Sequence, residues 1–232
     1  MTAERPLPAA VLFDYDGTLV DTEVYWMHAE VDLLATYGVP WTLEDAAQLC
    51  GSSREHSIAV HMRRMREFGV DTSAIDPDGL YDRMSELVVE NIRRLGLPML
   101  PGAQELLLDL KHNGVPCGLV SNSPPQVLQA GLSSFPAGCI TLVIDGDMVA
   151  RGKPDPEGYL MAAERLGVDP RRCLVVEDTP IGAQAGGAAG AVVLAVPGQF
   201  PVPPAPRQIN LPGLVGLDWA RLCDIYAKVC AS

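Results

Sequence analysis

Short apolar runs that stop abruptly at polar residues recur through this chain, and they constrain its fold more than any other feature. The run at 9–13 stops at Asp14-Tyr15-Asp16-Gly17. The run at 115–120 stops at Ser121-Asn122-Ser123, and that at 140–144 at Asp145-Gly146-Asp147. Two more, at 173–176 and 191–196, stop at Glu177-Asp178 and Pro197-Gly198. A strand buried on both faces of a parallel sheet reads this way, with polar chemistry beyond its carboxyl end. Between the runs lie helical patterns. Residues 103–112 carry apolar residues at helical spacing and are closed by Asn113-Gly114; residues 158–166 are closed by Gly167. Residues 181–189 are rich in alanine and glycine, which suits tight packing on a sheet. Strands alternating with helices predict an α/β fold, a doubly wound parallel sheet of Rossmann-like type. Such sheets bind ligands beyond the carboxyl ends of their strands, where every polar cluster named above falls.

Residues 23–98 break the alternation. They hold helical patterns at 23–37, 54–68 and 80–95 and no convincing strand. We expect a core domain from residues 1–21 and 99–232, with 22–98 inserted as a small α-helical cap over the site. The proline-rich stretch 197–206 reads as a surface loop and 217–229 as a final helix. No internal repeat is present.

Charge and cysteine usage exclude several functions. The chain has 232 residues, and its Lys+Arg and Asp+Glu counts of 17 and 29 give a formal net charge of -12. Nucleic acid needs a positive field, so it is not an expected partner. An anionic membrane surface is disfavoured for the same reason. None of the six cysteines forms a CxxC pair, so neither zinc nor a redox dithiol is indicated; Cys117 and Cys173 read as buried strand residues. There is no secretory signal and no run near the roughly 20 apolar residues of a membrane span. The expectation is a cytoplasmic protein, monomeric or weakly dimeric. An acidic chain of this kind can bind an anion only through local devices: a cation, a lysine or backbone N–H groups.

Asp14 and Asp16 are the centre of the functional reading. Residues two apart in a strand point the same way, so both carboxylates can serve one site. They could hold a hard cation, or divide the work of nucleophile and acid/base. Asp16-Gly17 is also a common turn pair, and alone it reads equally well as a turn.

The wider sequence bears on that choice. Residues 14–22, Asp14-Tyr15-Asp16-Gly17-Thr18-Leu19-Val20-Asp21-Thr22, resemble the first motif of the haloacid dehalogenase superfamily, DxDGT(L/V)xD(S/T). Ser121-Asn122 resembles the second motif, Lys153-Pro154-Asp155-Pro156 the lysine motif, and Glu177-Asp178-Thr179-Pro180-Ile181-Gly182 the acidic fourth motif. They occur in the family's order. The resemblance implies that Asp14 attacks phosphorus to form an aspartyl-phosphate, and that Asp16 acts as acid and then base. It implies Mg²⁺ held by Asp14, the main-chain carbonyl of Asp16 and Asp178. Glu177 would be a further ligand or an acceptor that orients metal-bound water. Gly17, Ser121 and Asn122 would bind the phosphoryl group, and Lys153 would supply a charge beside Asp14. Duller readings remain open: Ser121 and Glu177-Asp178 as helix caps, Lys153 as a surface charge, Thr22 as the cap of a helix starting near Glu23.

The inserted segment matches the helical cap of one branch of that superfamily. Gly51-Ser52-Ser53-Arg54-Glu55 resembles the cap loop of beta-phosphoglucomutase-like and sugar-phosphate phosphatase members. There the arginine reaches a polar or anionic part of the substrate, which makes Arg54 a candidate for recognition. The alternative is that Ser53 caps a helix with Arg54 on its solvated face. His28, His56 and His61 read as surface or interhelix residues. Trp26 stands where mutase-like relatives often carry histidine; it or Tyr25 could line an apolar wall, or pack in the core. The expected activity is hydrolysis of a small phosphorylated metabolite, such as a sugar phosphate. A phosphomutase of beta-phosphoglucomutase type is the alternative. A non-catalytic metabolite-binding protein would leave Asp14 and Asp16 without purpose, and a dehalogenase would leave Asp16 and Asp178 unexplained.

Overall fold

The computed structural model describes residues 5–196, 198 and 200–231; Pro197, at the start of the expected surface loop, lies outside them. The apolar runs form strands β1 (Ala10–Phe13), β2 (Cys117–Val120), β3 (Leu142–Ile144), β4 (Cys173–Glu177) and β5 (Val192–Ala195). A sixth, β6 (Gln208–Asn210), joins them in the order β3-β2-β1-β4-β5-β6, and every pairing is parallel. This is the doubly wound order, and its direction reverses beside β1. Register follows. Phe13 pairs with Leu119 on one side and with Val176 on the other. Asp14, one residue on, therefore leaves the sheet level with Glu177.

Alternation along the strands sorts side chains to two apolar layers. Val11, Phe13, Leu174, Val176, Val192 and Leu194 face one layer, which includes α5 (Ala103–His112), α6 (Pro125–Leu132) and α9 (Trp219–Cys230). Leu12, Val175 and Val193 face the other, with α7 (Glu157–Leu166) and α8 (Pro180–Ala188). The small residues of α8 have a packing cause: a Cβ on Gly186 would stand 2.8 Å from Val175 Cγ1. Cys117 and Cys173 are free and wholly buried, and burial pushes their thiols up to about 12 and about 11.

The inserted helices are α1 (Glu23–Thr36), α2 (Leu43–Ala47), α3 (Arg54–Glu67) and α4 (Pro77–Leu95). The longest, α4, has the signals of a firm start: Pro77 in its first turn and an Asp76 carboxylate accepting from Asp78 N–H at 3.2 Å. Its buried Leu80, Met84, Val88 and Ile92 share the apolar layer of Phe13 and Leu106. These helices thus rest on the body of the protein through a continuous core, and within the insert Tyr25 Oη of α1 donates to Gly96 O just beyond α4 at 2.7 Å. His61 is an interhelix residue as expected, buried in α3 against Trp41 with ring centroids 5.3 Å apart.

Four features differ from expectation. Strand β6, Gln208–Asn210, comes from a half-exposed three-residue stretch with no apolar run. Helix α2 was not foreseen, and α6 starts from Pro124 rather than from a Ser121 cap. Thr22 stands at the N-cap position of α1 but makes no capping bond with its side chain.

Candidate active site

The site is built where β1 and β4 end side by side. Asp14 follows β1, its N–H donating to Val176 O at 3.0 Å and its side chain turned into a buried pocket. Lys153 Nζ lies 2.5 Å from Asp14 Oδ1 and 2.6 Å from Glu177 Oε1, with all three residues no more than 7% exposed. Glu177 is fixed further by Tyr159 Oη at 2.5 Å and Thr179 Oγ1 at 3.4 Å. A Cβ on Gly182 would collide with its carboxyl group, so glycine there is what admits it.

Asp178 is held differently. Thr18 Oγ1 donates to its Oδ1 at 3.2 Å, but its buried Oδ2 has no hydrogen-bond partner among the described residues. A Cβ on Gly17 would collide with that same oxygen, and one on Gly198 would come within 2.7 Å of it. Gly17 has a φ of 78°, a conformation that favours glycine on its own account. Oxygen atoms of Asp14, Glu177 and Asp178 lie within 4.8 Å of one another.

Packing three carboxylates around one ammonium has an electrostatic consequence. Burial, with Glu177 and Asp16 nearby, pushes Asp14 up to about 8 despite Lys153. Burial, with Asp14, Glu177 and Glu23 nearby, pushes Asp178 up to about 9. Burial alone would lower Lys153, but Asp14 and Glu177 outweigh it and hold the ammonium charged. An orphaned carboxylate oxygen beside an excess of negative charge is what a hard divalent cation relieves. The donor set is all oxygen, as Mg²⁺ requires.

Asp16 occupies the neighbouring wall. Its Oδ1 accepts from Thr22 Oγ1, and its Oδ2 from Ser121 Oγ at 3.0 Å and Ser123 Oγ at 2.7 Å. Thr22 therefore serves Asp16 rather than the α1 backbone. Ser121 and Lys153 are both brought to the site.

Asn122 lines the site's cavity with Ser121 and Lys153, while Gly17 and Arg54 do not face it in the same way, and all three have partners within the protein. The Gly17 N–H donates to Val20 O at 2.8 Å, so Gly17 provides room for Asp178 instead. The Asn122 side chain donates to Gly51 O at 3.1 Å and accepts from Lys153 N–H at 2.9 Å, so it ties the lysine loop to the inserted segment. Arg54 pairs with Asp78 at 3.1 Å and Asp82 at 3.0 Å on the far side of Tyr81, and it lines a neighbouring groove with Asp147. Ser53 caps α3 by accepting from His56 N–H at 3.4 Å.

A cavity opens above Asp14, Asp16, Ser121 and Lys153, walled by Trp26, Met27, Glu30, Tyr81 and Met84 of the inserted helices and by Leu49 from the turn after α2. Ser123, Thr18, Thr22 and Tyr159 carry bonds to the site's carboxylates that were not assigned from sequence. Ser123 had a signal in belonging to the Ser121-Asn122-Ser123 cluster that ends β2, where a bend, with Ser123 N–H donating to Ser121 Oγ at 2.9 Å, brings both hydroxyls to Asp16. Tyr159 had none, being one aromatic on an ordinary amphipathic helix.

Known proteins resemble this chain in sequence and fold. Residues 8–190 match the haloacid dehalogenase-like hydrolase family. The bifunctional riboflavin kinase/FMN phosphatase of Arabidopsis thaliana is 30% identical over 195 residues, 83% of this chain but 49% of that protein, so this chain spans about half its length. Hexitol phosphatase A of Escherichia coli is 33% identical over 192 residues, covering 80% of this chain and 81% of the enzyme. A crystal structure of CbbY from Rhodobacter sphaeroides in complex with phosphate superposes with a TM-score of 0.82 at 25% identity, covering 93% of this chain and 99% of that one. With the doubly wound sheet, the ordered motifs and the acidic cluster at the strand ends, the match makes this chain a member of the haloacid dehalogenase-like hydrolases.

Proposed function

We propose that the chain is a Mg²⁺-dependent phosphomonoester hydrolase that forms an aspartyl-phosphate on Asp14 and acts on a sugar phosphate or a similar small metabolite. One observation carries the reading: Lys153 Nζ sits 2.5 Å from Asp14 Oδ1, next to an acidic cluster whose Asp178 Oδ2 is buried without a partner. Nucleophile, charge clamp and cation site thus share one hollow.

Asp14, Asp178 and the main-chain carbonyl of Asp16 would hold Mg²⁺, whose charge offsets repulsion between a carboxylate and an anionic phosphoryl group. Glu177 serves as an acceptor that fixes Lys153 and Tyr159. In the first step an Asp14 oxygen bonds to phosphorus as the ester P–O bond breaks, and Asp16 gives its proton to the leaving oxygen. In the second, Asp16 takes a proton from water as that water's oxygen bonds to phosphorus and Asp14 leaves. Lys153 and Ser121 neutralise and orient the phosphoryl oxygens, which is most of what phosphoryl transfer asks of a protein. Residues 22–98 act as the cap on a core made of 1–21 and 99–232. The sugar-phosphate class rests on hexitol phosphatase A and on the amphipathic wall of the cavity.

The test is phosphate release from hexitol and hexose monophosphates with Mg²⁺. Steady release, abolished by EDTA and restored by Mg²⁺, is expected. Isomerisation of a sugar phosphate that needs bisphosphate priming, with little free phosphate, would replace this reading with the mutase one.

A further inference from the structure

We infer that the cap half of the cavity receives an uncharged, hydroxylated group with one apolar face, and turns away substrates that carry a second anion. The inference rests on the phosphatase reading and narrows its substrate class.

Cations come first. Among the described residues lining the cavity, Lys153 is the one lysine or arginine, and it is engaged by Asp14 and Glu177 at the floor. The cap arginine that could have met a distal phosphate, Arg54, is held by Asp78 and Asp82. Its guanidinium carbon sits 4.8 Å from the Tyr81 ring centroid, facing the adjoining groove. Tyr81 in turn packs against Trp26, their centroids 5.8 Å apart and rings 31° from parallel. The aromatic pair therefore presents itself to the cavity, with Arg54 behind it.

Anions come next. Glu23 and Glu30 both line the cavity. Glu30 is 5% exposed, and its Oε2 accepts from Trp41 Nε1 at 2.8 Å while His61 Nε2 stands 3.3 Å away without hydrogen-bond alignment. The carboxylate cannot swing out to solvent without breaking those contacts. Glu23 sits low, its Oε1 3.3 Å from where a Cβ on Gly17 would stand beside Asp178. A second phosphate or a carboxylate in the cap half would therefore face the buried Glu30 and, among the described residues, no lysine or arginine, in a cleft that screens charge poorly. Hydroxyl groups meet no such penalty, because a carboxylate accepts their hydrogen bonds. The C–H face of a polyol can lie on Trp26 and Met84.

Three compounds on one carbon skeleton test this: glucitol 6-phosphate, 6-phosphogluconate and glucitol 1,6-bisphosphate, which end in a hydroxyl, a carboxylate and a phosphate. With saturating Mg²⁺, kcat/KM for the two compounds with an anionic second end is expected to fall by roughly tenfold or more below the hydroxyl-ended one. Glu30→Gln should narrow the gap to 6-phosphogluconate, and Arg54→Ala should leave all the ratios within about twofold. Calorimetric binding of the three compounds to Asp14→Asn should show the same order without turnover. Equal or tighter binding of the two-anion compounds would overturn the inference, as would a selective loss of bisphosphate turnover in Arg54→Ala. Loss of phosphate release from all three, with the binding order kept, would instead refute the catalytic reading and leave the cap preference standing.

Discussion

The floor of the cavity and its roof meet charge in opposite ways. At the floor, carboxylates are crowded together and each is answered: Asp14 and Glu177 by Lys153, Asp16 by three hydroxyls, Asp178 by Thr18 on one oxygen. At the roof, aromatic and aliphatic side chains dominate, and the charged residues either face inward as acids or pair with one another outside. A rigid, charge-dense floor suits one reaction on one group. A roof without cations lets the rest of the substrate vary in shape but not in sign. The fold explains the division. The floor grows from strand ends whose register is fixed by the sheet, and the roof from helices that meet through apolar contacts with a few polar ties between them, such as Arg54 with Asp78 and Trp41 with Glu30.

Perturbing the floor should cost most. Asp14→Asn removes the nucleophile, and phosphate release should drop by on the order of 10⁴-fold or more while the far-ultraviolet dichroism stays unchanged. Turnover near wild type would end the nucleophile assignment. A second effect falls on stability. Folding raises Asp14 from 3.8 to about 8 and Asp178 from 3.8 to about 9. A carboxyl group raised in this way supports the fold below its unfolded pKa, and that support is lost as pH climbs through the folded value. Metal-free protein should therefore lose Tm as pH rises from about 4 to about 9, less so in Asp178→Asn, and Mg²⁺ should flatten the decline. A level metal-free profile would deny that the acidic cluster is under electrostatic load.

Lys153→Met, next in size, should lower kcat by roughly 100- to 1,000-fold, as removal of a preorganised charge does. A change confined to KM would mean that the ammonium only holds the ground state. Moving up to the roof, Trp26→Ala should raise KM by roughly tenfold with a smaller change in kcat. An equal fall in kcat would show that the aromatic wall takes part in the floor's chemistry. The smallest effect belongs to the join between the two. Thr22→Val deletes one hydroxyl from Asp16 and should reduce kcat by roughly three- to tenfold, while Thr22→Ser retains it.

The same contrast governs what could be read in advance. Asp14, Ser121, Glu177 and Asp178 were legible because each ends an apolar run, and a parallel sheet aligns such ends at one rim. Lys153 was legible only through its motif, since its loop has no strand to locate it. The additional contacts of Gly17 and Asn122 were not legible because their partners, Asp178 and Gly51, are distant in sequence and close only in the fold. Arg54 shows the limit of local pattern: its partners Asp78 and Asp82 lie in α4, and no spacing rule links α3 to α4. Strand β6 was silent because a three-residue edge strand needs no apolar run. Thr22 stood where a helix cap stands, and a carboxylate three-dimensionally near it won its hydroxyl instead.

Trapping the covalent intermediate addresses the central claim most directly. Protein mixed with Mg²⁺ and a hexitol phosphate, quenched in acid within one turnover and digested, should yield a peptide carrying one acid-stable, base-labile phosphoryl group on Asp14. Label on any other residue, or a quench that never yields phosphoprotein while phosphate is being released, would contradict it.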